Sequence, residues 1–241
     1  MTGTPLKPSF PTLRVSRTTG ETRFEMRVSP RRRRMAQLPL TNQLLSHFID
    51  HVCKAAGIDL ELVCTEWPAS WELDHVLCED VGQLIGHAIA EIHRRRVAEV
   101  GVPGRASAIC CMDDCRAGLT LSLEGRALSN WRVEGGSSAI DGFVDAWFGE
   151  DGRQAGWASG TNLRQFFDGF AYGAGATIHV TVDKVGNLHH FYEALFRALG
   201  DAIRSALELP GGRLPGDSSG LAGECRYEVA VEEDPGEHDG E

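Results

Sequence analysis

The sequence predicts an α+β protein made of two copies of one unit, and three observations carry that reading. Runs such as TLRVSRTTG and RASAICCMDD alternate apolar and polar residues, the period of a half-buried strand. Runs such as TNQLLSHFIDHVCKAAG and NLHHFYEALFRALGDAIRSALEL repeat their apolar residues at three and four, the period of a helix. The order of these runs then recurs: three strands, helix, strand, helix, twice over. Helices that cover one face of such strands give a two-layer α/β sandwich.

Residues 1–10 are Pro-containing and read as a loose N-terminal tail. TLRVSRTTG and ETRFEMRVSP form a hairpin about a glycine, and MAQLPL adds a third strand. TNQLLSHFIDHVCKAAG is a helix with Thr41 as N-cap and Gly57 as its stop. IDLELVCTEW is a strand. DHVLCEDVGQLIGHAIAEIHRRRVAEVG is a long helix, with acids early and arginines late as the helix dipole favours. These elements make a first repeat over residues 11–100. The second repeat, residues 101–209, has strands in RASAICCMDD, AGLTLSLEGRA and NWRVEG. A Gly-rich insertion at 135–160 carries one short apolar piece, AIDGFVDAWF. The helix TNLRQFFDGFAYGAG, the strand ATIHVTVD and a last long helix complete the repeat. Residues 210–241 form an acidic, aromatic-poor tail that is expected to be largely disordered.

With 42% hydrophobic and 24% charged residues over 241 positions, the chain has an ordinary globular composition. A net charge of -10 argues against a nucleic-acid partner, because phosphate contacts need a basic face. No apolar run reaches the ~18 residues of a membrane span. The opening MTGTPLKPSFPTLR lacks the apolar core of a secretory leader. Seven cysteines without a CxxC pair point to reduced thiols and a cytoplasmic protein. The basic run PRRRRM at 30–35 reads as a solvated hairpin tip, with contact to an anion or to an acidic neighbouring subunit as the alternative.

The chemistry concentrates at helix starts. His189 and Glu193 are i and i+4 and share a helix face, whereas His190 lies about 100° round and aims elsewhere. His75 and Glu79 repeat that spacing at the start of the matching helix in the first half. His51 ends FIDH, and His179 sits in the strand TIHV, ten residues before the paired histidines. Imidazole and carboxylate together suit borderline divalent metals such as Mn, Fe, Co or Zn. His47, His87, His93 and His238 lack such context and read as solvated or structural.

RTTGETRFEMRV, FIDHV, LDHVLCEDVGQLIGHAI, CMDDCRAGLTLSLEGRA and FFDGFAYGAGATIHVTVDKVGNLHHFYEALFRAL resemble the imidazoleglycerol-phosphate dehydratase family. The match runs in order from about residue 12 to 209, and its last segment is the most specific. The resemblance implies a duplicated β3-α-β-α unit of the ribosomal-protein-S5-domain-2-like type. It implies trimers assembled into a large homo-oligomeric cage, and sites between subunits that each hold two divalent ions, usually Mn²⁺. The family motifs F-x-D-H, H-H-x-x-E-D, L-H-x and H-H-x-x-E carry over to His51, to His75 and Glu79, to His179, and to His189, His190 and Glu193. One ion would take His51, His75, Glu79 and His190. The other would take His179, His189, Glu193 and a fourth histidine.

That fourth histidine is absent. Val76 stands at its place, so one ion has three protein ligands or is missing, which leaves two ions per site, as in the family, or one. Three ligands and an open position still suffice for a catalytic ion. Cys78, one turn on, is the nearest alternative ligand, although its direction differs at i+3 from His75.

The implied reaction removes water from imidazoleglycerol phosphate to give imidazoleacetol phosphate, a step of histidine biosynthesis. The proton to be removed sits on a carbon that no carbonyl activates, so the metal-bound imidazole ring is the expected electron sink. Glu21, from R-x-T-x-E-T, and Glu193 are the candidate proton carriers, and Arg105 and Arg126 the candidate phosphate ligands. The family's C-terminal P-S-T-K-G loop appears as PGDSSGL, without its lysine. Val76 and this loss leave two alternatives open: a paralogue with another substrate in a specialised pathway, and a non-catalytic metal-binding assembly protein.

Overall fold

A computed structural model describes residues 11–20, 22–30, 40, 42–66, 74–133, 136–148, 154–208 and 214–217. The third strand expected at MAQLPL, the Arg31–Arg34 run, Thr41 and nearly all of the C-terminal tail lie outside these residues. The chain folds as an α+β sandwich. Strand β1 (Leu13–Thr18) pairs antiparallel with β2 (Arg23–Pro30), and β2 pairs antiparallel with β3 (Ile58–Glu66). The second sheet runs β4-β5-β9-β6, from β4 (Arg105–Met112), β5 (Cys115–Ser122), β9 (Thr177–Lys184) and β6 (Leu128–Val133). Its pairs are antiparallel except β6 with β9.

The expected insertion is a β-hairpin, β7 (Phe143–Phe148) with β8 (Gln154–Ser159), after a 3₁₀ turn at Ser137–Ala139. FVDAWF is apolar at five of its six positions and QAGWAS carries Gly156, so neither strand shows a clear two-residue period in the sequence.

Four helices lie against the two sheets. They are α1 (Gln43–Ala56), α2 (Asp74–Val100), α3 (Gly160–Ala174) and α4 (Leu188–Leu207). The N-cap of α1 is Asn42, whose Oδ1 accepts from Leu45 N–H at 2.9 Å. Gly57 ends the helix at φ 70°, a left-handed turn that glycine adopts without steric cost. The Asn42 side chain also donates to Asp74 Oδ2 at 3.1 Å, so α1 and α2 start side by side. Helix packing is reciprocal: α1 lies on α4 and α2 on α3.

Glycines set both approaches. Gly82 and Gly86 on α2 face Gly169 and Gly173 on α3, and at each of the four a Cβ would run into backbone of the other helix. Gly200 on α4 does the same for α1, where a Cβ would stand 2.5 Å from Val52 O and 2.6 Å from Ala55 Cβ.

Apolar side chains fill the space these approaches leave. Phe48, Phe166, Phe167 and Phe196 are fully buried, with ring centroids of 5.2 Å for Phe48–Phe196 and 4.8 Å for Phe166–Phe196. Burial of each ring contributes about 1.5–3 kcal/mol. Tyr192 is buried among them, and its hydroxyl lies 2.9 Å from Ile140 O and 3.0 Å from Gly160 O. That contact fastens the insertion to α4.

Candidate metal centre

The site forms where α4 begins against α1. Asn187 caps α4: its Oδ1 accepts from His189 N–H at 2.8 Å and from His190 N–H at 3.4 Å. The cap fixes the backbone that aims both imidazoles, and the two diverge. His189 turns toward Glu193 one turn on, with its Nε2 3.5 Å from Glu193 Oε2. His190 turns toward the β4–β5 turn, where its Nδ1 lies 3.5 Å from both Asp113 Oδ2 and Asp114 Oδ1.

Glu193 is 3% exposed and is the hub. Its Oε2 lies 3.2 Å from His47 Nε2, and its Oε1 lies 3.1 Å from His51 Nε2. Arg197, one turn further along α4, pairs with Oε1 as well and donates from Nε to His51 Nδ1 at 3.3 Å. The close approach at Gly200 lets α1 come near enough for His47 and His51 to reach this carboxylate.

The protonation pattern follows from these partners. Burial opposes a charge on Glu193, but His51, His47 and Arg197 outweigh it and hold the carboxyl below its usual range. Burial pushes His51 down to about 4, so its ring is neutral near pH 7. His51 Nδ1 accepts from Arg197, so its hydrogen sits on Nε2 and points at Glu193. His189 is arranged the other way round. Its Nδ1 lies 3.2 Å from Asp145 Oδ2 on β7. A carboxylate only accepts, so that nitrogen carries the hydrogen and Nε2 offers its lone pair to the cluster. A carboxylate behind a histidine in this way is how metal-ligating imidazoles are oriented.

Among the described residues, His47, His189 and Glu193 are the set of three metal-type donors whose ligand atoms all lie within 4.8 Å of one another. Two ligands on one ion at bonds of ~2.1 Å stand about 3.0–3.5 Å apart in octahedral or tetrahedral geometry. The separations of 3.2 and 3.5 Å at Glu193 Oε2 meet that requirement, so the donors fit a divalent ion.

The structure therefore joins His51, His189 and Glu193, and adds His47, which the sequence reading set aside as solvated or structural. The signal was present: His47 and His51 are i and i+4 and share the face of α1 that meets α4. Arg197, at i+4 from Glu193, was missed in the same way.

The other candidates lie apart from this cluster within one chain. His75 and Glu79 are exposed on the first turns of α2, where Glu79 accepts from Gln83 Nε2 at 3.0 Å. His179 is exposed on β9, because Ile178, Val180 and Val182 take the inward positions of that strand, and its Nδ1 lies 3.3 Å from Asn130 Nδ2. Arg105 opens β4, seven residues from Met112, and so stands about 23 Å from the strand end that meets His190. Arg126 is exposed after Gly125, beyond the end of β5. Cys78 is fully buried, and burial pushes its thiol far up, so it offers no thiolate. Glu21 lies outside the described residues. Its neighbour Thr22 is buried, and Asp80 Oδ2 accepts from Thr22 Oγ1 at 2.8 Å and from Arg17 Nη1 at 2.5 Å.

An open hollow of about 660 Å³ borders the cluster, lined by His51, Lys54, Cys110, Arg197 and Asp201 among others. Among the described residues, no helix is long and apolar enough to cross a membrane.

Known proteins share this arrangement of sequence and fold. The family model for imidazoleglycerol-phosphate dehydratase matches residues 41–203. The dehydratase of Magnetococcus marinus is 29% identical over 193 residues, 79% of this chain and 86% of the relative. That of Deinococcus deserti is 29% identical over 211 residues, 86% of this chain and 97% of the relative. Among solved structures, the Pyrococcus furiosus dehydratase superposes with a TM-score of 0.60 at 26% identity, covering 81% of this chain and 94% of that one. The Staphylococcus aureus enzyme, at 19% identity, shares the fold with a TM-score of 0.60 over 83% of this chain and 99% of its own. The matched segment contains α1 and the start of α4, the helices that carry the clustered histidines and Glu193, and the chain belongs to the imidazoleglycerol-phosphate dehydratase family.

Proposed function

We propose that this protein is a metal-dependent hydro-lyase that converts imidazoleglycerol phosphate to imidazoleacetol phosphate and water in the cytoplasm, as a step of histidine biosynthesis. The observation that carries the reading is the buried Glu193 carboxylate, ringed by His47, His51 and His189 at a helix start inside the segment that matches the family. The ion would be Mn²⁺, held by His189 and Glu193, with His179 supplied by another copy. A second ion would draw on His51, His75, Glu79 and His190. These residues do not converge within one chain, which supports a homo-oligomer with sites between copies.

A divalent ion bound at the cluster supplies Lewis-acid stabilisation of the charge that develops on the substrate ring as the carbon-bound proton leaves. The remaining work falls to side chains. Glu193 is ionised at neutral pH and can hold the ion or take up a proton. Glu21 is the second proton carrier, on a segment tied to the protein through Thr22, Arg17 and Asp80. The hollow has the size of a small-ligand site, and Arg197 and Lys54, which pair with Glu193 and Asp50, line it beside Asp201 as candidate phosphate contacts. Arg105 and Arg126, at the far end of the sheet, would reach the phosphate of a neighbouring copy's site.

Val76 favours a second reading, a paralogue with the same fold and a changed substrate. Turnover of imidazoleglycerol phosphate with Mn²⁺ in excess separates the two. Product formation that stops with EDTA and returns with Mn²⁺ is expected. A folded, metal-loaded protein that forms no imidazoleacetol phosphate would overturn the dehydratase reading.

A further inference from the structure

The family pattern asks for a histidine at position 76, and the chain has valine there. We propose that His47 replaces that ligand, completing with His189 and Glu193 the ion site that Val76 leaves one ligand short. The inference rests on the metal-dependent reading above and names a ligand that the family motifs do not supply.

Two observations support it. His47 Nε2 lies 3.2 Å from the same Glu193 oxygen that His189 Nε2 approaches to 3.5 Å, a chelating spacing. Asp145, on β7, holds His189 Nδ1 and leaves its Nε2 for the ion. The His47 side chain is half-exposed, with its ring centroid 5.5 Å from that of His189, tilted, and 4.7 Å from that of His51, edge-on, so its ring is guided without being locked.

The test compares wild type, His47→Gln and His47→Asn. Both amides keep a polar, hydrogen-bonding side chain but are poor ligands beside imidazole. Each protein is stripped with EDTA and titrated with Mn²⁺ in a calorimeter. The visible spectrum of the Co²⁺-loaded form is then recorded. Both variants should keep the wild-type urea midpoint without metal, bind Mn²⁺ at least about tenfold more weakly, and show an altered Co²⁺ spectrum. Wild-type affinity together with an unchanged Co²⁺ spectrum in either folded variant overturns the role of His47 while leaving the family reading intact. A wild-type protein that binds neither ion overturns the metal-dependent reading and, with it, the role of His47.

Discussion

Replacing Gly86 by alanine sets two effects of opposite sign against each other. Alanine favours a helix interior over glycine by about 1 kcal/mol, so propensity alone makes the variant more stable. The tertiary contact argues the reverse. A Cβ at position 86 would stand 2.5 Å from Phe170 O, 2.7 Å from Ala174 N and 3.0 Å from Gly173 C, all of them backbone atoms of α3. Ordinary contacts are about 3.5 Å, so α2 and α3 must part by roughly 1 Å. A gap of that size forfeits a quarter to a half of the dispersion energy along the seam, where Phe166 and Phe170 are buried.

Overpacking costs about 1–3 kcal/mol, and the upper end applies because no flexible side chain can give way. The net effect is a loss of about 2 kcal/mol, or about 1 M in urea midpoint. Circular dichroism at fixed protein concentration reads it, since assembly adds to stability. Gly20→Ala is the control. No atom lies within 4 Å of its added Cβ, and its midpoint should move by less than the equivalent of about 0.5 kcal/mol. A Gly86→Ala midpoint at or above wild type would refute the close helix approach.

Two further outcomes follow from the site. The metal-free protein should lose stability as pH falls from 6.5 toward 4. Burial lowers His51 from 6.5 to about 4, so the unfolded chain binds more protons across that window and acid favours unfolding. The loss is at most about 3 kcal/mol. It is read from urea midpoints at pH 7 and pH 4.5, and His51→Asn should remove most of the slope; an unchanged slope in that variant would assign it elsewhere. Asn187→Ala removes the cap of α4 and should cost about 1 kcal/mol, with Mn²⁺ binding weakened roughly tenfold as the helix start loosens under His189 and His190. Calorimetry and urea unfolding check it, and Asn187→Ser should restore most of both.

Much of this protein was legible along the chain. Helices α1, α3 and α4 fall where the apolar period placed them, and Gly57 and Gly175 end α1 and α3 with left-handed turns as expected. The cap of α1 is Asn42 at the expected N-terminus, and the divergence of His189 from His190 follows from helical geometry alone. These are relations between near neighbours, which local backbone preference and side-chain period determine. The hairpin β7–β8 was not legible, because FVDAWF is almost wholly apolar without a two-residue period and the hairpin's partner contacts are made with α1, α3 and α4.

The composition of the cluster was decided only by packing. His47 and Glu193 are 146 residues apart, and no period links them. They meet because Gly200 lets α1 close on α4, and Asp145 meets His189 because Tyr192 fastens the insertion to the same helix. Sequence sets which face of a helix carries a ligand; the approach of one helix to another sets which ligands share an ion.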